Sequence, residues 1–165
     1  MNSNYIFRQA EPGEIQAVFD LIMGRVAWMD QVGIRQWNTT KYDQRYPLSY
    51  YEHRRQMEEL FVLTDGAGEI LAVGALFHED ERWPEPDSAF YLHHLASRVD
   101  AKGSGSVFLQ MAEEYTAQMG KTYMRLDSAI GNGTLEQYYT SRGYVAAGYC
   151  KDGLYEGVLR QKQLR

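Results

Sequence analysis

The stretch that decides the fold is KGSGSVFLQMAEEYTAQMG, residues 102–120. Its glycine–serine turn leads into a run whose apolar residues share one helical face, and Gly120 suits the C-terminal cap. The residues of that face are Val107, Phe108, Met111, Ala112, Tyr115 and Met119. The preceding residues 89–97, AFYLHHLAS, predict a strand. A strand, a glycine turn and a helix therefore follow one another.

The turn has the composition of an anion site. Backbone N–H groups at the start of a helix, together with the positive end of its dipole, favour an anion. The glycines within residues 103–106 allow close approach, the serines add hydroxyl donors, and Lys102 adds positive charge. A plain connection between strand and helix explains the same residues. The Walker pattern is absent, and the dinucleotide pattern would need glycine where Phe108 stands.

Strand and helix patterns follow one another along the whole chain. In order, they predict a strand at 5–9, helices at 14–29 and 48–59, strands at 60–64, 69–77 and 89–97, the helix after the glycine turn, a strand at 122–129, a helix at 134–141, and strands at 144–149 and 154–161. The segments 33–47 and 78–88 predict loops. A helix between two strands implies a parallel crossover, so the fold class is α/β or α+β with a mixed sheet. We expect a single domain over residues 1–165.

Composition excludes several classes of function. The chain has 165 residues, a net charge of −5 and no dense Lys/Arg run, which argues against nucleic acid as a partner. The acidity suits an amine substrate, and a solvated surface explains it equally well. A single cysteine, Cys150, excludes an intramolecular disulfide and metal sites built on paired thiolates, and no metal is predicted. Without a membrane-length apolar run or a signal-peptide pattern, we expect no membrane contact and a cytoplasmic protein.

Two stretches together resemble the GNAT superfamily of N-acetyltransferases. Residues 92–120, LHHLASRVDAKGSGSVFLQMAEEYTAQMG, resemble the family's acyl-CoA segment, a strand followed by (Arg/Gln)-x-x-Gly-x-(Gly/Ala) and a helix. Residues 124–144, MRLDSAIGNGTLEQYYTSRGY, resemble the segment in which an Asn precedes a helical Tyr by seven residues and Gly-(Phe/Tyr) closes the helix. The earlier helix and hairpin fit the family's order of elements, so the resemblance covers roughly residues 5–161.

The resemblance implies a mixed, mostly antiparallel central sheet flanked by helices, with a β-α-β crossover that binds acyl-CoA. It also implies acetyl transfer from acetyl-CoA, by direct attack, to an amine of a small molecule or peptide. Three positions depart from the pattern. Ser97 replaces a commoner aliphatic residue, Leu135 stands where a small Ala is frequent, and the family's Arg or Gln, three residues before the first glycine, falls on Asp100. That residue places negative charge beside the expected pyrophosphate, and Lys102 lies next to the turn to offset it.

The resemblance also assigns roles to residues. The residues expected to bind the cofactor are Leu95, Ala96, Ser97, Lys102, Gly103, Ser104, Gly105, Ser106 and Asn132. Tyr139 is the expected acid for the leaving thiolate. The base is less defined. Either of the adjacent histidines 93 and 94 could accept a proton, and so could His78, Glu79 or Glu81 beyond the strand at 69–77; His94 and Glu79 are the residues chosen.

The sequence leaves three further matters open. The aromatic residues of the early helix and loop either line an acceptor site or pack the loop; they are Trp28, Trp37, Tyr42 and Tyr46. A catalytically weak acyl-CoA-binding or sensing module, or a fold relative that has lost CoA, are the alternatives to an acetyltransferase. The last two strands also leave a homodimer open.

Overall fold

The computed structural model describes residues 4–165. In this part of the chain the helices are α1 (Ile15–Val32), α2 (Tyr42–Arg45), α3 (Leu48–Gln56), α4 (Ser104–Gln118) and α5 (Gly133–Ser141). The strands are β1 (Ile6–Gln9), β2 (Leu60–Thr64), β3 (Ile70–Phe77), β4 (Ala89–Ser97), β5 (Tyr123–Ala129), β6 (Val145–Asp152) and β7 (Tyr155–Gln163). Among residues 4–165, no helix combines the length and the hydropathy needed to cross a bilayer.

The seven strands form one sheet in the order β1-β2-β3-β4-β5-β7-β6. Strands β4 and β5 are parallel, with Ala89 opposite Tyr123, and α4 lies between them in sequence as the crossover requires. The pairs β1–β2, β2–β3, β5–β7 and β6–β7 are antiparallel. The predicted mixed, mostly antiparallel sheet with a β-α-β crossover is therefore confirmed. Strand β6 is an edge of the sheet, and the homodimer stays a prediction.

The described chain forms two compact units. The first runs to Leu76 and includes His94–Ala112, and the second comprises Phe77–His93 and Glu113–Arg165. The single domain predicted for residues 1–165 stays a prediction, and residues 1–3 lie outside the described part of the chain.

The core of the first unit forms on the predicted apolar face of α1. Ile15, Val18 and Ile22 are buried at a spacing of three and four residues, as one face of a helix requires. They belong to a cluster with side chains of β2, β3, β4 and the aromatic segment after α1; its other members are Ala10, Tyr42, Tyr51, Leu60, Val62, Val73 and Ala96. Gly33, with φ 75°, ends α1 in the left-handed conformation that glycine adopts without strain.

The core of the second unit joins β5 and β7 to helix α5. Met124, Leu126 and Leu159 are buried on the strands, and Tyr144, just after α5, is buried beside them in the same unit. The Tyr144 hydroxyl donates to a Glu113 oxygen at 2.7 Å, and the other oxygen of that carboxylate accepts from Lys162 at 3.0 Å. The Glu113 carboxylate, itself paired with Lys162, thus provides the hydrogen-bond acceptor for the buried hydroxyl of Tyr144.

The structure adds an element to the segment 33–47, which the sequence predicts to be a loop. A 3₁₀ turn, Trp37–Thr39, and the short helix α2 both lie there. The Trp37 and Tyr42 rings stack with centroids 4.6 Å apart, so aromatic contacts hold a helix that is too short to be stable alone.

Candidate active site

The glycine turn joins β4 to α4 as predicted. Gly103 has φ 87°, a conformation that favours glycine, and α4 begins at the next residue. The Ser104 N–H donates to the Ala101 carbonyl at 3.1 Å, and its buried hydroxyl donates to the same carbonyl at 2.6 Å. Ser104 therefore uses its hydroxyl to fix the turn, and anion binding by the N–H groups of the first turn of α4 stays a prediction.

Gly105 lies against the end of β4. A Cβ atom at this position would lie 3.5 Å from Ser97 Oγ, an ordinary van der Waals distance. Its backbone is in a conformation open to any residue, in contrast to that of Gly103. Glycine at 105 thus keeps the surface beside Ser97 free of a side chain, which a cradle for a bulky anion requires.

Arg25 of α1 brings a cation to the same place. Its Nε and Nη2 atoms donate to the Ser97 carbonyl at 3.1 and 2.8 Å, and Nη2 lies 3.0 Å from Ser97 Oγ. The guanidinium also lies 4.5 Å from the Trp28 ring centroid. Partial burial lowers the pKa of Arg25, but a guanidinium stays charged at neutral pH. The sequence analysis missed Arg25, because a single cation within an apolar helix produces no pattern.

Asp100 is neutralised locally. Arg98 donates to both oxygens of its carboxylate, Nε to Oδ1 at 3.0 Å and Nη2 to Oδ2 at 2.8 Å. The hydrogen bonds from Arg98 lower the pKa of Asp100, and the guanidinium charge adds to the effect. The residue that departs from the family pattern is thus half of an exposed ion pair, and its net charge together with Arg98 is zero.

We expect Asp100→Asn to tighten acetyl-CoA binding roughly two- to five-fold at low salt, because the substitution frees the Arg98 charge. The gain should shrink at high salt, since both side chains are exposed. Isothermal titration at two salt concentrations measures this, with Asp43→Asn as the matched control. Weaker binding in the Asp100 variant would show that the carboxylate positions Arg98 for the cofactor.

His94 interrupts β4 with φ 59°, a left-handed conformation that is costly for a residue with a side chain. It is buried, and both ring nitrogens are hydrogen-bonded, Nδ1 to the Tyr42 hydroxyl and Nε2 to the Tyr50 hydroxyl at 2.8 Å. The rings of Tyr46 and Tyr51 contact it edge-on, at 4.6 and 5.6 Å between centroids. These contacts hold the backbone of His94 in the strained conformation.

Asn132 caps the start of α5 and Tyr139 lies within this helix, both in the second unit. The Asn132 side-chain oxygen accepts from the Leu135 N–H at 3.1 Å and so caps the helix, which leaves its amide N–H₂ as the group that could contact a cofactor. Tyr139 is buried, with the rings of Tyr138 and Tyr144 edge-on at 5.2 and 5.6 Å. Burial raises the pKa of Tyr139, and Tyr138 and Asp127 raise it further.

The second unit also holds a polar cluster that the sequence analysis did not assemble. His93 Nε2 lies 2.7 Å from Asp80 Oδ2, and Asp127 lies beside them. Ligand atoms of these three residues lie within 4.8 Å of one another, which makes them the one group among residues 4–165 with a metal-like spacing. Asp127 is already paired, however, with Arg82 at 3.2 Å and the Tyr155 hydroxyl at 2.6 Å. The side chains therefore form a hydrogen-bond network with each other.

Glu79 lies in the exposed loop after β3, next to Asp80 in sequence. The predicted site residues divide between the units: those within residues 94–106 lie in the first, and Glu79, Asn132 and Tyr139 lie in the second. Arg25, which was not predicted, lies in the first. The roles assigned to the predicted residues stay predictions.

Comparisons of the sequence with models of protein families and with curated proteins give no match. Comparison of the structure with solved structures gives many. A GNAT-family acetyltransferase from Listeria monocytogenes superposes with a TM-score of 0.79 at 23% identity, covering 98% of this chain and 99% of that one. A GNAT-family acetyltransferase from Streptococcus agalactiae gives 0.77 at 23% identity, covering 96% and 95%.

A third similar structure contains ligands. Spermidine N-acetyltransferase from Vibrio cholerae, in complex with CoA and spermine, gives a TM-score of 0.69 at 13% identity, covering 98% of this chain and 96% of that one. These likenesses extend over nearly the whole length of each chain. The fold of this chain is therefore the GNAT fold, as the resemblance in its sequence predicted.

Proposed function

We propose that this chain, which has the GNAT fold, is an acyl-CoA-dependent N-acetyltransferase that transfers an acetyl group from acetyl-CoA to an amine of a small molecule or peptide. The observation that carries the proposal is the contiguous segment of β4, the glycine turn and α4. It places a strained strand residue, a glycine-bordered surface and a helix N-terminus in one continuous segment. Each of these features has a use in holding a thioester cofactor.

The pyrophosphate of the cofactor would lie at the start of α4. The N–H groups of Lys102, Gly103, Gly105 and Ser106 would donate to it, with the helix dipole in support. Ser104, whose N–H donates to the Ala101 carbonyl, would hold the turn in shape for these donors. Lys102 is exposed and can add its charge, and Arg25 places a second cation beside Ser97. Two cations and a helix N-terminus would take the place of the Arg or Gln that the family has at the position of Asp100.

The end of β4 would bind the pantetheine arm. The backbone of Leu95, Ala96 and Ser97 would pair with it as a strand pairs with an added peptide, and Asn132 would contribute its amide. The left-handed conformation of His94 breaks the regular alternation of β4 just before Leu95. We propose that the N–H of Leu95 or Ala96 is thereby directed at the thioester oxygen, where negative charge develops during transfer.

Tyr139 is the proposed acid. Its phenol would give a proton to the thiolate as the carbon–sulfur bond breaks. His94 and Glu79, chosen as bases from the sequence, differ in their surroundings: His94 is enclosed by tyrosines, whereas Glu79 is exposed. With both ring nitrogens hydrogen-bonded, His94 is better suited to holding the backbone of β4 than to accepting a proton from a substrate.

A second candidate function is a catalytically weak module that binds or senses acyl-CoA. The observation that favours it is the presence of Asp100 at the position of the family's Arg or Gln, although Arg98 neutralises that charge. Both functions need the same cofactor cradle. They differ in whether an amine is acetylated.

One assay separates these functions. Acetyl-CoA is offered with spermine, ethanolamine, tyramine, glutamate and a lysine-containing peptide, and free CoA thiol is measured, while the thermal shift with acetyl-CoA reports binding. We expect a thermal shift and thiol release with at least one amine. A thermal shift without thiol release from any amine would favour the binding module, and the absence of any shift would contradict both functions.

A further inference from the structure

The second unit contains a polar group, here called the His93 cluster, that the proposed roles do not use. Its members are Asp80, Arg82, His93, Asp127, Asp152 and Tyr155. We propose that His93, oriented by Asp80, is the general base that takes a proton from the acceptor, and that the acidic side chains of the cluster select a cationic amine. This inference rests on the proposed acetyl transfer and names the base and the acceptor class for it.

The geometry of His93 is that of an oriented imidazole. Its Nε2 atom lies 2.7 Å from Asp80 Oδ2, and the two side chains are only 9% and 8% exposed. Because a carboxylate accepts, Nε2 carries the proton and Nδ1 carries the lone pair. The Phe77 ring packs against the imidazole with centroids 4.3 Å apart. The ring is held on two sides, and the tautomer is fixed by Asp80.

Asp80 is itself held in place. Its Oδ1 atom accepts from the Arg82 backbone N–H at 3.0 Å, which closes the loop after β3 around the carboxylate. Burial tends to raise the pKa of Asp80, but the hydrogen bond and charge of His93, with Arg82, outweigh burial and lower it. The carboxylate is therefore charged at neutral pH and accepts the Nε2 proton of His93 in a hydrogen bond.

The charges of the cluster favour a cation. The His93 cluster contains three carboxylates, those of Asp80, Asp127 and Asp152, and one guanidinium, that of Arg82. Arg82 binds Asp127 at 3.2 Å and Asp152 at 2.9 Å. Near these groups Tyr155 donates to Asp127, and burial raises the pKa of Cys150 to about 11, so neither adds negative charge at neutral pH. Among these groups the carboxylates outnumber the guanidinium, and this balance favours an ammonium ion over an anion.

The His93 cluster is also related to the other groups proposed to take part in acetyl transfer. His93 lies two residues before Leu95 on β4, the strand whose N–H groups are proposed to contact the thioester. Asp127 is near enough to Tyr139, the proposed acid, to raise the pKa of its phenol. The proposed base, His93, is thus close in sequence to the strand residues proposed to contact the thioester. The proposed acid, Tyr139, interacts electrostatically with Asp127 of the His93 cluster.

His93 fits this role better than the two bases chosen from the sequence. His94 has Tyr42 and Tyr50 on its two ring nitrogens. Glu79 lies in the loop after β3, and its side chain is exposed to water. His93 combines a fixed tautomer with a charged partner, which is the arrangement by which an imidazole is made an effective base.

The proton balance is complete. His93 takes one proton from R–NH₃⁺, the neutral amine attacks the thioester carbon, the carbon–nitrogen bond forms and the carbon–sulfur bond breaks. Tyr139 gives its proton to the departing sulfur and recovers one from the nitrogen of the new amide. The imidazolium of His93 passes its proton to water. The sum is R–NH₃⁺ plus acetyl-CoA giving the acetylated amine, CoA–SH and H⁺.

The test is His93→Gln in the full chain, assayed with spermine and with tyramine across pH. We expect kcat/KM near neutral pH to fall on the order of 100-fold. The loss should narrow as pH approaches the pKa of the amine, about 10 for an alkyl ammonium, because the amine then needs no base. The thermal shift with acetyl-CoA should equal that of the wild type. The matched control is His53→Gln, an exposed histidine of α3.

Two further variants separate catalysis from a structural effect. His93→Ala should regain turnover in the presence of free imidazole. Asp80→Asn should lower kcat/KM about tenfold, since an amide orients the imidazole and stabilises its charge less well than a carboxylate. A loss in His93→Gln that is constant with pH and not recovered by imidazole in His93→Ala would overturn the base role and indicate a structural one.

The remaining outcomes also decide the matter. Wild-type turnover that EDTA abolishes and a divalent metal restores would overturn the base role and make the Asp80, His93 and Asp127 group a metal site. Wild-type activity that His93→Gln leaves unchanged would overturn this inference alone. A wild type without thiol release from any amine of the panel would overturn the proposed function and the base role with it.

Discussion

Tyr139→Phe is expected to lower kcat about 100-fold while leaving the affinity for acetyl-CoA unchanged, as the loss of a general acid does. The substitution removes only the phenol oxygen. The ring remains in contact with Tyr138 and Tyr144, whose centroids lie 5.2 and 5.6 Å away, so α5 keeps its packing. Steady-state kinetics at saturating amine, with acetyl-CoA affinity from isothermal titration, measure the two quantities separately.

The matched control is Tyr138→Phe, the neighbouring tyrosine of the same helix, which is less buried than Tyr139. It should retain wild-type kcat. Burial, with Tyr138 and Asp127, raises the pKa of Tyr139, so the phenol stays protonated throughout the neutral range. Any fall of activity below about pH 9, well under the ordinary pKa of a phenol, therefore comes from another group. Unchanged kcat in the Tyr139 variant would remove this residue from the mechanism.

Most of the secondary structure was predictable because its signals are local. The hairpin between β2 and β3 follows from Asp65 and the two glycines after it: Asp65 Oδ1 accepts from two backbone N–H groups of the turn, and Gly68 has φ 85°. The parallel pair of β4 and β5 follows from the helix between them. These features depend on residues close in sequence, and sequence patterns report such features well.

The interruption of β4 at His94 was not predictable in the same way. The strong local signal for a left-handed residue is glycine; histidine adopts this conformation more often than most residues do, but its presence does not predict it. The conformation is maintained by Tyr42 and Tyr50, which lie more than 40 positions earlier in the chain. Long-range packing, not local preference, sets the backbone there. For the same reason the short helix α2, which contributes Tyr42, was expected to be a loop.

The candidate site shows the same limit. The sequence predicts the glycine turn, because strand, turn and helix are contiguous. Arg25 contacts Ser97, which lies 72 positions later in the chain. Asp80 contacts His93, but it is one of several acidic residues in its loop, and the sequence does not indicate which of them makes this contact. Adjacent histidines face opposite ways in a regular strand. The sequence therefore indicates that one of the two is available, and the contacts of each are needed to tell which.

Gly105→Val is expected to weaken acetyl-CoA binding at least about tenfold, or about 1.4 kcal/mol, with little change in thermal stability. The Cβ atom would lie 3.5 Å from Ser97 Oγ, so the main chain need not move, whereas the two methyl groups would cover the surface between the end of β4 and the first turn of α4. That surface is the proposed place of the pyrophosphate. Isothermal titration with acetyl-CoA and a melting curve measure the two effects.

The series Gly105→Ala and Gly105→Val makes the test graded. A single methyl at ordinary contact distance should weaken binding less than the branched side chain. Gly13→Val is the matched control, because a Cβ there meets no atom within 4 Å and the residue lies in the 3₁₀ turn before α1. Gly103→Ala should instead lower stability, since its φ of 87° disfavours any side chain. Wild-type affinity in a stably folded Gly105→Val would contradict the cradle, because no phosphate could then lie where the valine methyl groups stand.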